Sequence, residues 1–182
     1  MLKKIVVIGP ESTGKSTLCE QLAAHYQTTW VKEYAREYLL AHGTNYTYDD
    51  LLIIAKGQLK AEDTAIDSTQ PQTTNYKPQT LFIDTDMYVM KVWCEYVFDR
   101  CHHWILNRIV ERRYDLYLLC NTDLPWVKDE LREYPDPLTR KKLYRYYKEA
   151  MIGQSVPWVD ISGNYEERLN RAIAAVHRCL SM

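Results

Sequence analysis

Three common features are missing from this sequence, and each absence excludes a class of protein. No stretch approaches the roughly 20 consecutive apolar residues that a membrane-spanning helix requires. The five cysteines are odd in number, widely spaced and include no CxxC pair, which argues against a disulfide framework or a structural zinc site. The formal net charge is -1, so no global field favours nucleic acid or an anionic membrane as a partner.

The N-terminal apolar run is short and ends at Gly9-Pro10, where polar residues follow. This pattern indicates a strand and not a signal peptide. Together with the absences above, it predicts a cytoplasmic protein with neither a nucleic-acid nor a membrane partner. The chain has 182 residues, 46% of them hydrophobic, and we expect one folded domain over residues 1–182. The oligomeric state is not readable from the sequence.

Short apolar runs alternate with segments of helical periodicity along the chain. Strands are predicted at 4–8, 28–31, 81–84, 115–120 and 157–161. Helices are predicted at 15–26, 34–40, 49–66, 87–98, 104–113 and 164–179. The alternation predicts an α/β fold with three layers and a mainly parallel, five-stranded sheet. Residues 67–79 are polar and contain two prolines, and are predicted to form a surface connection.

A phosphate-binding motif follows the first predicted strand. Residues 9–16, GPESTGKS, match G-x-x-x-x-G-K-[ST] and lead into a helix, the context that this motif requires. The match predicts a P-loop NTPase fold that binds ATP, although it does not distinguish ATP from GTP. The alternative is a chance glycine-rich turn. It is disfavoured because a predicted strand precedes the motif and a predicted helix follows it. The predicted ATP-binding residues here are Gly9, Glu11, Ser12, Thr13, Gly14, Lys15, Ser16 and Thr17.

A magnesium site is predicted where the third strand ends. Asp84 closes the apolar run LFID, and a carboxylate there joins the Ser16 hydroxyl as an oxygen ligand of Mg²⁺. Asp86 is a candidate for substrate contact. Either aspartate could instead cap the helix that starts at Met87.

Glu33 follows the second predicted strand, at the same edge of the sheet as the phosphate loop. A carboxylate in this position is a candidate general base for the proton of an acceptor hydroxyl. Arg36, three residues later, is a candidate phosphate or substrate ligand. The alternative for this pair is a solvated i,i+3 ion pair on a helix surface.

Five segments resemble one known family, in the same order and over nearly the whole chain. They are GPESTGKSTL (9–18), WVKEYAREYL (30–39), LFIDTDMYVMKVW (81–93), YDLYLLCNTDLPWVKDELR (114–132) and ISGNYEERL (161–169). These segments resemble the ribosylnicotinamide kinase domain at the C-terminus of NadR-type NAD-biosynthesis proteins. The polar connection at 67–79 and the run Cys101-His102-His103 have no match in that pattern.

The resemblance implies a nucleoside-kinase-like P-loop fold and an activity. Such domains phosphorylate the 5′-hydroxyl of nicotinamide riboside with ATP, giving nicotinamide mononucleotide. Because the chain begins at the strand before the phosphate loop, we expect no second, adenylyltransferase activity. A lid is implied at 121–140, where Arg132 and Arg140 are expected to contact the migrating phosphoryl group. Gly163 and Asn164 are implied to contact adenine, and a simple turn is the alternative for Gly163.

The nicotinamide ring is a cation and favours an aromatic face with a nearby carboxylate. Tyr34, Trp93 and Trp126 lie in the matched segments and are candidate substrate contacts. Most of the 15 tyrosines and five tryptophans must nevertheless be structural, and core packing is the alternative for each.

Taken together, the expected catalytic residues are Lys15, Glu33, Asp84, Arg132 and Arg140, with ATP and Mg²⁺. Two alternatives remain open at this point. One is a kinase for another nucleoside or a nucleotide, with the same phosphate machinery and a different acceptor pocket. The other is a regulatory module in which ATP binding shifts a switch and no acceptor is phosphorylated.

Overall fold

The computed structural model of the protein describes residues 2–69 and 79–181. Its five strands are β1 (Lys3–Ile8), β2 (Trp30–Val31), β3 (Thr80–Asp84), β4 (Leu116–Cys120) and β5 (Trp158–Ile161). Its helices are α1 (Lys15–Tyr26), α2 (Tyr34–His42), α3 (Tyr48–Ser68), α4 (Met87–Phe98), α5 (His103–Glu111), α6 (Pro137–Ile152) and α7 (Tyr165–Leu180).

All strand pairs are parallel, and the strand order is β2-β3-β1-β4-β5. The predicted α/β fold with a five-stranded parallel sheet is confirmed. β1 lies in the middle of the sheet, and its neighbours β3 and β4 come from different halves of the chain. The strand order therefore reverses next to β1, and open parallel sheets bind ligands at the carboxyl ends of the strands at such a point.

Side chains alternate across the sheet and divide its core into two layers. Ile5 and Val7 of β1 pack with α1 and α7 on one face. Val6 and Ile8 pack with α4 and α6 on the other. These residues are fully buried, which explains why β1 is a continuous apolar run and not an alternating one.

The largest departures from the predicted elements lie at β2 and after β4. β2 contains two residues, whereas the sequence predicts a strand at 28–31. The Thr28 N–H bonds back to the Ala23 carbonyl oxygen of α1 (2.9 Å), and its hydroxyl bonds the Thr80 carbonyl oxygen (2.6 Å). Residues 121–136 have no regular structure, but helix α6 begins at Pro137, inside the segment predicted as a lid. Asp136 caps that helix by accepting from the Thr139 N–H (2.7 Å). Of the predicted connection at 67–79, residues 70–78 lie outside the described residues.

None of the helices within the described ranges combines the length and the apolar character needed to cross a lipid bilayer.

Helices α2 and α3 pack closely because α3 has a glycine at their contact. A Cβ placed on Gly57 would lie 2.1 Å from Cε1 of the Tyr34 ring, well inside van der Waals contact. The Tyr34 ring therefore occupies the space that a larger side chain at position 57 would need.

We predict that Gly57→Ala destabilises the protein by roughly 1–3 kcal/mol, the usual cost of overpacking. Gly153→Ala is the matched control, because a Cβ there meets nothing closer than the Glu149 carbonyl oxygen at 3.4 Å. Urea unfolding of both variants measures the effect. Equal stability of the two variants would contradict the close packing at Gly57.

Candidate active site

The six residues between β1 and α1 form a tight loop with unusual backbone angles. Gly9, Ser12 and Gly14 have φ values of 139°, 56° and 78°. Any side chain at Gly9 would place its Cβ 2.7 Å from the Cys120 carbonyl oxygen. The loop can therefore pass this close to β4 only with glycine at position 9.

The loop ends at the N-terminus of α1, which is suited to an anion. The first turn of α1 contains no acidic residue, and no side chain of the described residues caps it. A helix N-terminus without a cap presents backbone N–H groups and a positive dipole end. Lys15 lies in the same turn, with its Nζ donating to the Pro10 carbonyl oxygen (3.0 Å). The arrangement can bind phosphate groups.

Ser16 and Asp84, the two residues expected to hold Mg²⁺, meet at the carboxyl edge of the sheet. The Ser16 hydroxyl donates to Asp84 Oδ2 (2.5 Å). Asp84 Oδ1 is buried and has no hydrogen-bond partner among the described residues. Burial and the nearby Glu33 carboxylate raise the pKa of Asp84 to about 7, against the opposing effects of Lys15 and Ser16. A hydroxyl beside a buried, unpartnered carboxylate oxygen fits Mg²⁺, which prefers oxygen ligands.

Glu33 lies next to Asp84 because a buried glutamine joins the ends of their strands. Gln58 of α3 accepts from the Tyr34 N–H (2.7 Å) and donates to the Asp84 carbonyl oxygen (3.2 Å). Thr85, just beyond β3, donates its hydroxyl to Glu33 Oε1 (3.4 Å). Sequence reasoning missed Gln58, although a glutamine within the apolar stripe of α3 was a visible signal.

A cavity of about 230 Å³ connects the phosphate loop to the Glu33 carboxylate. The residues proposed from the sequence that line it are Gly9, Glu11, Ser12, Thr13, Gly14, Lys15, Ser16, Thr17, Glu33, Arg36, Trp93 and Arg132. Those that do not line it are Tyr34, Asp84, Asp86, Trp126, Arg140, Gly163 and Asn164. The structure thus brings the phosphate loop, the candidate base and one candidate aromatic residue to one space.

Sequence reasoning missed several residues that line the cavity, among them Tyr46, Tyr96, Glu133 and Tyr134. They come from the loop before α3, from α4 and from the segment before α6. No motif marks them, because only the packing of these distant segments brings them together.

Asp86 caps helix α4, which was the structural alternative weighed for it. Its carboxylate accepts from the N–H groups of Tyr88 (3.0 Å) and Val89 (3.4 Å) and from the Tyr117 hydroxyl (2.8 Å). Burial raises the pKa of Asp86 to about 7. The Asp86 side chain is therefore buried and does not line the cavity, so the structure does not support its expected contact with substrate.

Arg140 also has a different place from the one expected. It lies in α6 and is 5% exposed, with its guanidinium donating to the carbonyl oxygens of Ser12 (3.1 Å) and Leu124 (3.3 Å). Burial lowers its pKa. Arg140 therefore supports the phosphate loop through its backbone and does not line the cavity. This geometry does not support the expected contact with the phosphoryl group.

The two other arginines of the expected acceptor and lid sites lie at the cavity. Arg36 donates from Nη1 to both carboxylate oxygens of Asp129 (3.1 Å each), which links α2 to the segment before α6. Arg132 donates to the Val127 carbonyl oxygen (2.5 Å), and the Val127 N–H donates to Ser12 Oγ (2.9 Å). Arg132 is thus placed beside the phosphate loop.

The remaining residues expected to bind substrate or adenine do not line the cavity. Asn164 caps α7 by accepting from the Glu167 N–H (3.0 Å). Gly163 adopts a φ of 102°, and its N–H donates to Asp123 Oδ2 (2.5 Å). The Tyr34 ring packs against Gly57, as described above. Trp126 Nε1 is buried without a hydrogen-bond partner among the described residues.

The unmatched Cys101-His102-His103 run shows no metal-binding cluster within the described residues. His102 Nε2 lies 2.9 Å from the Tyr48 carbonyl oxygen, and its ring stacks on that of Tyr48.

Arg168 is a further residue that sequence reasoning missed. It is 3% exposed, and its guanidinium donates to three carbonyl oxygens, those of Gly163 (2.7 Å), Thr13 (2.8 Å) and Asn121 (2.8 Å). It also contacts the Asp123 carboxylate. Through these bonds α7 supports the phosphate loop and the loop after β4.

The family described as AAA domain, AAA_28, matches residues 4–168 of the chain. The chain belongs to this family. Its phosphate loop, with glycines at the required positions and Lys15 at the start of α1, agrees with that membership.

The chain is similar to two curated proteins, both called trifunctional NAD biosynthesis/regulator protein NadR. It is 29% identical to the one from Escherichia coli (strain K12) over 98% of this chain and 43% of that protein. It is 30% identical to the one from Salmonella typhimurium (strain LT2) over 96% of this chain and 42% of that protein. The chain therefore spans less than half the length of these relatives.

Two crystal structures of NadR protein share this AAA-family fold. The complex with NR matches with a TM-score of 0.81 and 25% identity, over 99% of this chain and 50% of that one. The complex with NAD and AMP-PNP matches with a TM-score of 0.77 and 26% identity over the same shares. The resemblance to NadR that the sequence motifs indicate is confirmed.

We predict that Arg168→Met destabilises the protein by roughly 2–4 kcal/mol, because buried carbonyl oxygens lose their donors. Nucleotide binding should weaken as well, since the carbonyl of Thr13 belongs to the phosphate loop. Urea unfolding and calorimetric titration with a nucleotide measure the two effects. Arg171→Met, at an exposed position of the same helix, is the control and should change neither. Wild-type stability of Arg168→Met would contradict the supporting role.

Proposed function

We propose that the protein is an ATP-dependent kinase that phosphorylates the 5′-hydroxyl of nicotinamide riboside, giving nicotinamide mononucleotide and ADP. The observation that carries the proposal is that the phosphate loop, Glu33 and the aromatic residues Tyr46, Trp93 and Tyr96 line one cavity. The similarity to NadR, whose structures were solved with NR and with AMP-PNP, supports this donor and this acceptor.

The described residues can carry out the transfer as follows. Glu33 accepts the proton of the 5′-hydroxyl, and the hydroxyl oxygen forms a bond to the γ-phosphorus. The bond from that phosphorus to the bridging oxygen breaks, and ADP leaves with the electron pair. Lys15 and Arg132, beside the phosphate loop, stabilise the negative charge that spreads over the phosphoryl oxygens.

Ser16 and Asp84 would hold Mg²⁺, which when bound supplies positive charge to the phosphate groups. The unpartnered Oδ1 of Asp84 is the oxygen that a metal ion would satisfy. We assign the segment at 121–136 as the lid over the donor phosphates, since it contacts the phosphate loop through Ser12 and Glu11. Arg140 and Arg168 support the loop and do not enter the reaction.

The test is a mass-resolved kinase assay with Mg·ATP and a panel of nicotinamide riboside, ordinary ribonucleosides and deoxynucleosides. We expect nicotinamide mononucleotide to form selectively with one equivalent of ADP, and Lys15→Ala to abolish it. Phosphorylation of another nucleoside in preference would overturn the assigned acceptor. Nucleotide binding without phosphorylation of any acceptor would instead favour a regulatory module.

We predict that Glu33→Gln lowers kcat by roughly 10²- to 10⁴-fold, the usual contribution of a general base. ATP affinity should stay near that of the wild type, because Glu33 lies on the acceptor side of the cavity. Single-turnover kinetics and nucleotide titration separate the two quantities. Glu37→Gln removes an equal charge from an exposed position of α2 and should leave kcat unchanged. Full turnover by Glu33→Gln would remove this residue from the mechanism.

A further inference from the structure

Three side chains from distant parts of the chain join at the wall of the cavity. Trp93 of α4 donates from Nε1 to the Tyr46 hydroxyl (2.9 Å). Tyr46, in the loop before α3, donates its hydroxyl to Glu133 Oε2 (2.9 Å). The Tyr46 and Trp93 rings meet edge to face, with centroids 4.9 Å apart. All three residues line the cavity, so a carboxylate stands next to an aromatic pair.

Glu133 is exposed but held in place from two directions. Tyr46 binds its side chain, and the phosphate loop binds its backbone. The N–H groups of Glu133 and Tyr134 donate to the two carboxylate oxygens of Glu11, at 3.0 and 2.5 Å. The carboxylate of Glu133 therefore has a defined position relative to both the phosphate loop and the aromatic pair.

The Glu133 charge is not neutralised by a neighbouring cation. No ion pair among the described residues includes Glu133. Of the two arginines that line the cavity, Arg36 is paired with Asp129, and Arg132 is directed to the Val127 carbonyl oxygen beside Ser12. This part of the cavity wall is aromatic and negative.

The aromatic pair and the candidate base lie at the wall of one cavity. Glu33 lines it just after β2, and Trp93 and Glu133 line it from α4 and from the segment before α6. A nucleoside in this cavity with its 5′-hydroxyl at Glu33 can therefore place its base beside Trp93 and Glu133.

We infer that Glu133 recognises a positive charge on the base of the acceptor, so that the protein selects cationic N-ribosides over neutral ones of the same shape. A cation next to an aromatic face and a carboxylate is stabilised by both. This inference rests on the proposed function and extends it. It gives Glu133 a role separate from that of Glu33, which is proposed to accept the proton of the hydroxyl.

Two ribosides of nearly equal shape test the inference. Nicotinamide riboside carries a pyridinium charge, and its 1,4-dihydro form is neutral. We expect Glu133→Gln to lower kcat/KM for the cationic riboside about fivefold, through KM, as for a solvent-screened charge pair. The value for the dihydro form should not change. Glu133→Asp keeps the charge and should retain most of the preference for the cation.

Glu149→Gln is the matched control, because Glu149 is exposed in α6, the helix that follows this segment, and does not line the cavity. It should leave both kcat/KM values unchanged. An equal loss for the two ribosides in Glu133→Gln, or no loss for either, would overturn the inference and leave the proposed function standing. A wild-type protein that phosphorylates neither riboside would overturn the proposed function and the inference with it.

Discussion

The carbonyl groups of the phosphate loop need hydrogen-bond donors, and the site depends on how they are supplied. A loop this tight cannot pair its carbonyls as a helix or a sheet does. Arg168 donates to Thr13, Arg140 donates to Ser12, and both Lys15 and the Thr13 hydroxyl donate to Pro10. Helices α6 and α7 are thereby connected to the loop. Buried guanidinium groups suit this task because each offers several donors in fixed directions.

A second constraint joins the acceptor side to the metal side. Glu33 follows β2 and Asp84 ends β3, and Gln58 bonds to the backbone of Tyr34 and of Asp84. Burial is the main reason that the pKa of Asp84 is raised, and repulsion from the Glu33 carboxylate adds to it. A bound cation would relieve this repulsion. Holding Glu33 and Asp84 close together therefore suits a chemical role better than it suits the stability of the fold.

The segment before α6 connects the two ends of the cavity. Glu11 of the phosphate loop holds the backbone of Glu133, and Tyr46 holds its side chain. One short segment thus contacts the phosphate loop on one side and the aromatic pair on the other. Because the segment is close to both, the lid that we assign to the donor phosphates also forms part of the cavity wall proposed for the acceptor.

Local patterns in the sequence determine the fold and the phosphate loop, because both depend on neighbouring residues. The apolar run of β1 and the spacing of Gly9, Gly14 and Lys15 can be recognised from the sequence without knowledge of any tertiary contact. The sequence left two roles open for Asp86, a helix cap or a substrate contact. It did not indicate that Arg140 and Arg168 are buried donors, since an arginine serves equally as a ligand or as a buried donor. Only the tertiary structure decides which, by burying the group beside backbone atoms that lack partners. It also decides the place of Glu133, because its neighbours Tyr46 and Trp93 are distant in the chain and meet only through packing.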